Sequence, residues 1–306
     1  MEIQLDSVAV PFSLEHTLNC GQLFRWTKLG EWWYGVVEDR VIKIRQVGER
    51  LIFQSFPEKA TRKFIKRYLR LDDDLPKVLS EISKDKHVCR AVKLFNGLRI
   101  SRQEPWECLI SYICATYKNI PAIKKMINKI SQRFGKKISF DRYEFYTFPK
   151  PIDLAQTSPT ELRSCGLGFR AKRVLETTKI LDRGNFSLEA LKSIDYRSAK
   201  RELLSLPGVG PKVADCVLLF SLEKLEAFPV DVWMKRAAIN LYAGHFNPSF
   251  IDKVRRKGSI TLKEYEAINA FGREYFGRYA GYAQEYLFHL LRKHREHRPS
   301  NSIVVK

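Results

Sequence analysis

LPGVGPKVADC, residues 206–216, decides how the rest of the chain is read. Within SAKRELLSLPGVGPKVADCVLLF (198–220), the apolar spacing before Leu206 and after Pro211 is helical. Two glycines and two prolines interrupt it, so the stretch predicts helix, hairpin, helix. Gly208 and Gly210 are expected to permit a tight turn through positive φ or close backbone approach. Pro211 suits the first position of the second helix, where a missing N–H costs nothing. Backbone amides bared by glycine beside a helix N-terminus can meet a phosphate. The same turn can also be a plain corner that only packs two helices.

Lys212 adds chemistry to this turn. It falls at the second helical position, where the positive end of the helix dipole disfavours a cation. A free amine is what Schiff-base chemistry needs. Cys216 follows four residues later on the same helical face, although a cysteine there also serves as a small buried apolar group. Asp231, in FPVDVWMKR (228–236), precedes another helical pattern. It is expected to be an N-cap, worth ~1 kcal/mol. A carboxylate near a sugar can also stabilise positive charge at C1′ or manage the proton of an attacking amine.

Outward from the hairpin the chain divides in two. GEWWYGVV, RVIKIRQV and RLIFQSF are short, aromatic and β-branched, and predict an antiparallel meander over roughly residues 1–56. Beyond Pro57 the period changes. Ile120, Ile123, Met126, Ile127, Ile130 and Phe134 mark an amphipathic helix. Helices are expected to follow one another to about His297, with stops at Gly135, Gly184 and Gly244. The expected organisation is α+β. An N-terminal antiparallel β domain with short helices (1–98) packs on a larger all-α domain (99–297), whose last helix packs back on the first domain. A basic tail (298–306) follows.

The charge points to a polyanionic partner. There are 54 Lys and Arg against 34 Asp and Glu, a formal charge of +20. Residues 117–138 carry seven cations and no acid, and residues 59–70 carry six and no acid, while the first 50 residues are nearly neutral. The six cysteines, at 20, 89, 108, 114, 165 and 216, contain no CxxC pair, which fits neither a zinc nor an iron–sulfur site. No run approaches the ~20 apolar residues of a membrane span, and the N-terminus resembles neither a signal nor a transit peptide. Reduced intracellular thiols are expected.

LPGVGPKVADC followed by PVDVW resembles the helix–hairpin–helix plus Gly/Pro…Asp signature of the base-excision DNA glycosylase superfamily. A lysine at the hairpin marks its members with lyase activity. Four further segments resemble the 8-oxoguanine DNA glycosylases: NCGQLFRW (19–26), QEPWECLISYICA (103–115), GLGFRAKRV (166–174) and AGYAQEYLF (280–288). They span nearly the whole chain in family order.

The resemblance implies a role for each matched residue. Lys212 is the nucleophile and Asp231 the catalytic aspartate. The Gly21 carbonyl accepts the N7 hydrogen of the oxidised base. Cys216 and Phe288 sandwich the flipped base, and Gln284 bonds its Watson–Crick edge. Phe169 is the wedge, and Arg170 reads the orphaned cytosine. Tyr117, Asn119, Gly208, Gly210 and Trp233 fall at DNA-binding positions. In ATYKNIPAI (115–123), however, Tyr117 replaces an asparagine and Ala122 an arginine that read the cytosine, and Trp233 replaces a phosphate-binding histidine.

The implied reaction is base excision through a lysine imine, followed by β-elimination. Its partner is double-stranded DNA containing oxidised guanine, and a monomer is expected. No metal or redox cofactor is expected; a structural cation at the hairpin carbonyls is left open. The alternatives are a sister glycosylase-lyase for oxidised pyrimidines and a non-catalytic DNA-binding protein.

Overall fold

A computed structural model describes residues 1–5 and 11–296; the tail expected at 298–306 lies outside the described residues. The chain begins with β1 (Glu2–Gln4), α1 (Leu14–Asn19), β2 (Trp26–Leu29), β3 (Trp32–Val37), β4 (Arg40–Val47) and β5 (Arg50–Phe56). The five strands form one antiparallel sheet in the order β1-β5-β4-β3-β2. Pairing of Trp33 with Ile44 and of Tyr34 with Lys43 sorts alternate residues onto opposite faces. Trp33, Ile42, Ile44, Leu51 and Phe53 form one core with Leu14 and Leu18 of α1. Helix α2 (Arg62–Tyr68) completes that core through Ile65 and Tyr68.

The next two helices, α3 (Leu75–Ile82) and α4 (Lys86–Leu94), bury Leu75, Val78, Ile82, Val88 and Ala91 in a second, larger core. That core is helical. It continues through α5 (Pro105–Cys114) and α6 (Ile120–Phe134), then α7 (Pro151–Ala155), α8 (Pro159–Ser164), α9 (Arg170–Asp182) and α10 (Tyr196–Leu204). It ends with α11 (Pro211–Ser221), α12 (Val232–Asn240), α13 (Pro248–Arg256), α14 (Leu262–Phe276) and α15 (Ala280–Glu296). Apolar residues surround α5 on almost every side, which places it at the centre, against α11. Helix α15 packs on α3 and α4, and the Tyr286 hydroxyl donates to the Leu98 carbonyl at 3.1 Å.

One expectation is overturned. Helices do not follow one another without a break after Pro57. Residues 137–146 form an antiparallel hairpin of β6 (Lys137–Phe140) and β7 (Tyr143–Tyr146). Its Ile138, Phe140, Tyr143 and Phe145 pack against Tyr34, Val36 and Val41 on the outer face of the sheet. At its turn, Asp141 accepts from Tyr34 and from Lys43, both at 2.7 Å. The apolar outer face of β3 and β4 needed cover, and a short alternating segment supplies it.

A buried carboxylate holds the hairpin helices together. Asp215 is fully buried, and accepts from the Tyr196 and Tyr265 hydroxyls at 2.5 Å, Lys200 Nζ at 2.7 Å and Asn269 Nδ2 at 3.1 Å. It ties α11, the helix that carries Lys212, to α10 and α14. Asp215→Ala leaves four donors facing a void, so it should destabilise the fold by about 3–5 kcal/mol, the cost of breaking a buried ion pair. Urea denaturation checks this; a loss below about 1 kcal/mol would mean that the network relaxes freely.

Candidate active site

The hairpin forms as its residues dictate. Pro211 opens α11 with Gly210 as N-cap, and Lys212 is the second helical residue. Gly208 has φ +83°, and a Cβ there would meet Arg173 Cβ at 2.9 Å. Gly210 departs from expectation: its backbone is extended, with φ −96° and ψ 178°, and the space beside it is open. Only Gly208 needs to be glycine for the turn.

From α11, the Lys212 ammonium stands 4.8 Å from the Tyr112 ring centroid, and its charge acts on the Cys216 thiol one turn along the helix. Burial pushes that thiol up to about 12, against the pull of Lys212. A neutral, apolar-sided thiol results. Asp231 caps α12, accepting from Trp233 N at 2.9 Å and Met234 N at 3.0 Å. Burial raises its carboxyl above the ordinary range, while the Met234 amide and the Lys212 charge oppose the shift. The Lys212 charge therefore favours the ionised form of the Asp231 carboxyl, against its burial.

The facing wall comes from elsewhere in the chain. Gln284 and Phe288 lie one turn apart on α15. Gln284 is buried, and its Oε1 has no partner among the described residues. Gly21 follows the end of α1 with φ +113°. A Cβ there would lie 2.5 Å from Arg292 Nη1 and 3.1 Å from Phe288 Cε1, so only glycine fits. Gly21, Phe288 and Ile120 thus meet at one point, where the β domain, α15 and the start of α6 converge.

A second cluster lies on exposed loops. Phe169, the N-cap of α9, is 56% exposed, and Tyr117 is 88% exposed with φ +55°. Arg170 Nε donates to the Thr116 carbonyl at 3.0 Å, which brings the two aromatic loops together.

Comparison with known proteins places this arrangement. The profile described as the 8-oxoguanine DNA glycosylase N-terminal domain matches residues 4–109, and that of the HhH-GPD superfamily base excision DNA repair proteins matches 110–257. The N-glycosylase/DNA lyase OGG1 of Arabidopsis thaliana is 32% identical over 288 residues, covering 90% of this chain and 76% of the relative. The N-glycosylase/DNA lyase of Saccharomyces cerevisiae is 32% identical over 308 residues, covering 90% and 82%. The chain belongs to the 8-oxoguanine DNA glycosylase family. Among solved structures, the Clostridium acetobutylicum 8-oxoguanine glycosylase/lyase, in complex with double-stranded DNA containing cytosine opposite 8-oxoG, superposes with a TM-score of 0.82. It shares 34% identity, with 93% of each chain covered.

Three residues of the expected DNA face have partners within the chain itself. Arg170 does not face outward beside Phe169. It is buried; its guanidinium bonds the Thr116 and Leu167 carbonyls and lies 4.3 Å from the Phe169 centroid. These bonds use three of the five guanidinium N–H donors. Asn119 caps α6, accepting from Ala122 N at 3.0 Å. Trp233 is half-buried, with the Arg236 guanidinium 4.8 Å from its ring centroid.

Other residues of the site escape sequence reading. Gln22 is buried and donates to the Arg99 carbonyl at 2.7 Å and to Thr17 at 3.1 Å, while its Oε1 accepts from Ser101 N at 2.9 Å. It pins the loop that carries Gly21. Glu285 is buried against Cys20, and burial pushes its carboxyl up to about 7. Tyr112 floors the slot beneath Lys212, stacked on Phe220 at 5.5 Å. The motif NCGQLFRW carries a signal for Gln22; the other two show only as one acid and one aromatic in apolar helices.

Proposed function

We propose that this chain excises 8-oxoguanine from duplex DNA and nicks the strand at the resulting site, with Lys212 as nucleophile. The observation that supports this reading is a chain of contacts from the hairpin to the N-terminal loop: the Lys212 ammonium lies 4.8 Å from the Tyr112 ring centroid, the Tyr112 hydroxyl donates to the Gln22 carbonyl at 3.3 Å, and Gly21 beside it meets Phe288. The target nucleotide must leave the stack, at a cost of a few kcal/mol. Phe169 is the wedge that fills the gap, and Tyr117 stands beside it. The oxidised base enters between Cys216 and Phe288. The Lys212 amine attacks C1′, the bond from C1′ to N9 breaks, and the base departs with the electron pair and a proton. Asp231 stabilises positive charge at C1′ and takes the proton that the amine loses. The sugar opens to an imine on Lys212; loss of a C2′ proton to water then forms the C2′–C3′ double bond and expels the 3′ oxygen with its electron pair. Amine, carboxyl and water suffice for these steps, so no cofactor enters. Single-turnover release of 8-oxoguanine, followed by strand nicking, tests the reading; a chain that binds the duplex but releases no base would contradict it.

Two further outcomes follow from the DNA face. The acid-free basic stretches imply several phosphate contacts, so log K should fall with log[salt] by about 0.9 per phosphate neutralised. Fluorescence anisotropy across salt concentrations checks this, and a flat dependence would remove the argument from charge.

Opposite-base preference should be weak. Arg170 bonds carbonyls of its own chain. Tyr117 stacks on any base, and Ala122 offers no side-chain donor. A good bidentate base contact is worth ~1–3 kcal/mol. Excision rates on four duplexes that differ only in the opposite base should therefore lie close together. A cytosine preference of several hundredfold would show that another group reads the orphan.

A further inference from the structure

The slot mouth holds a cation that the reaction above leaves unused. Arg292 lies on α15, four residues beyond Phe288 and eight beyond Gln284, on their side of the helix. Its Nη1 is 2.5 Å from the point a Gly21 Cβ would occupy, where Ile120 Cδ1 (2.9 Å) and Phe288 Cε1 (3.1 Å) also meet. The guanidinium carbon is 5.7 Å from the Phe288 ring centroid. Nη2 donates to the carbonyl of Asn19, two residues before Gly21. The fork is thus anchored to the loop that carries Gly21 and to the ring that faces the base.

Chemistry gives this placement a meaning. Guanine presents two acceptors, N7 and O6, along this edge. Oxidation at C8 makes N7 a donor and adds a second carbonyl, so that N7–H lies between two carbonyl oxygens. The complement of such an edge is an acceptor with a donor beside it. The Gly21 carbonyl supplies only the acceptor.

We propose that Arg292 is a base-reading residue, its guanidinium donating to a carbonyl oxygen beside N7–H while the Gly21 carbonyl accepts that hydrogen. The proposal rests on the slot taking an oxidised guanine. A DNA phosphate is the competing acceptor, because a second cation is near. Lys124 donates to the Trp26 carbonyl at 3.2 Å, and burial and the Arg292 charge hold it below the ordinary lysine range.

Two substrates separate these roles. One duplex carries 8-oxoguanine; the other carries a preformed abasic site, which has phosphates but no base to read. With the full-length chain, Arg292→Met should slow base release by about 10- to 100-fold, the loss of one hydrogen bond from a charged donor. Nicking of the abasic duplex and the salt slope of binding should stay unchanged. Equal loss on both duplexes, or a slope shallower by about 0.9, assigns Arg292 to a phosphate and overturns the proposal. Unchanged base release also overturns it. Should Arg292→Met fail to fold, Arg292→Lys takes its place under the same criterion: loss confined to base release supports a reader, and loss on both duplexes or on neither refutes it. A wild-type chain that nicks the abasic duplex yet releases no 8-oxoguanine would sink the substrate reading itself, independently of Arg292.

Discussion

Lys212→Gln is expected to lower release of 8-oxoguanine by at least about a thousandfold, the scale seen when a nucleophile is removed, and to abolish strand nicking, while duplex affinity persists. Glutamine keeps the helix propensity of lysine, and among the described residues Lys212 makes no ion pair within 4.0 Å. Its ammonium lies over the Tyr112 ring, 4.8 Å from the centroid. The slot therefore survives the change, and only the amine is lost. Stopped single-turnover assays and anisotropy on the same duplex measure the two quantities separately. If base release persists near the wild-type rate, the attacking group is not Lys212.

Asp231→Asn should slow base release by about 10²- to 10⁴-fold, the range for a positioned acid–base group. The substitution is informative because asparagine caps a helix as well as aspartate does. The bonds from Trp233 N and Met234 N can persist, so the unfolding midpoint should hardly move. What disappears is a carboxyl whose protonation burial and Lys212 tune in opposite directions. A lowered midpoint with an unchanged rate would reduce Asp231 to its capping role.

The parts of this site written in local pattern are legible in the sequence. The lysine at a helix start, the cap before α12 and the i, i+4 pair on α15 each follow from short-range spacing. Long-range packing is not legible in that way. Arg292 meets the Gly21 loop across 273 positions of sequence, and nothing near either residue announces the other. Gln22 matters through its bonds to Arg99 and Ser101, far along the chain. The β6–β7 hairpin escapes because its strands have four residues each, too short for alternation to outweigh the strong helical period before them. Sequence marks Arg170 as a cation beside an exposed aromatic, but not which way its long side chain turns.

The claim that Lys212 bonds to the sugar is tested most directly by borohydride reduction during turnover on a duplex containing 8-oxoguanine, followed by peptide mapping of the adduct. The account predicts a single reduced crosslink, on Lys212. A crosslink at any other amine, or base release with no adduct at all, would contradict it.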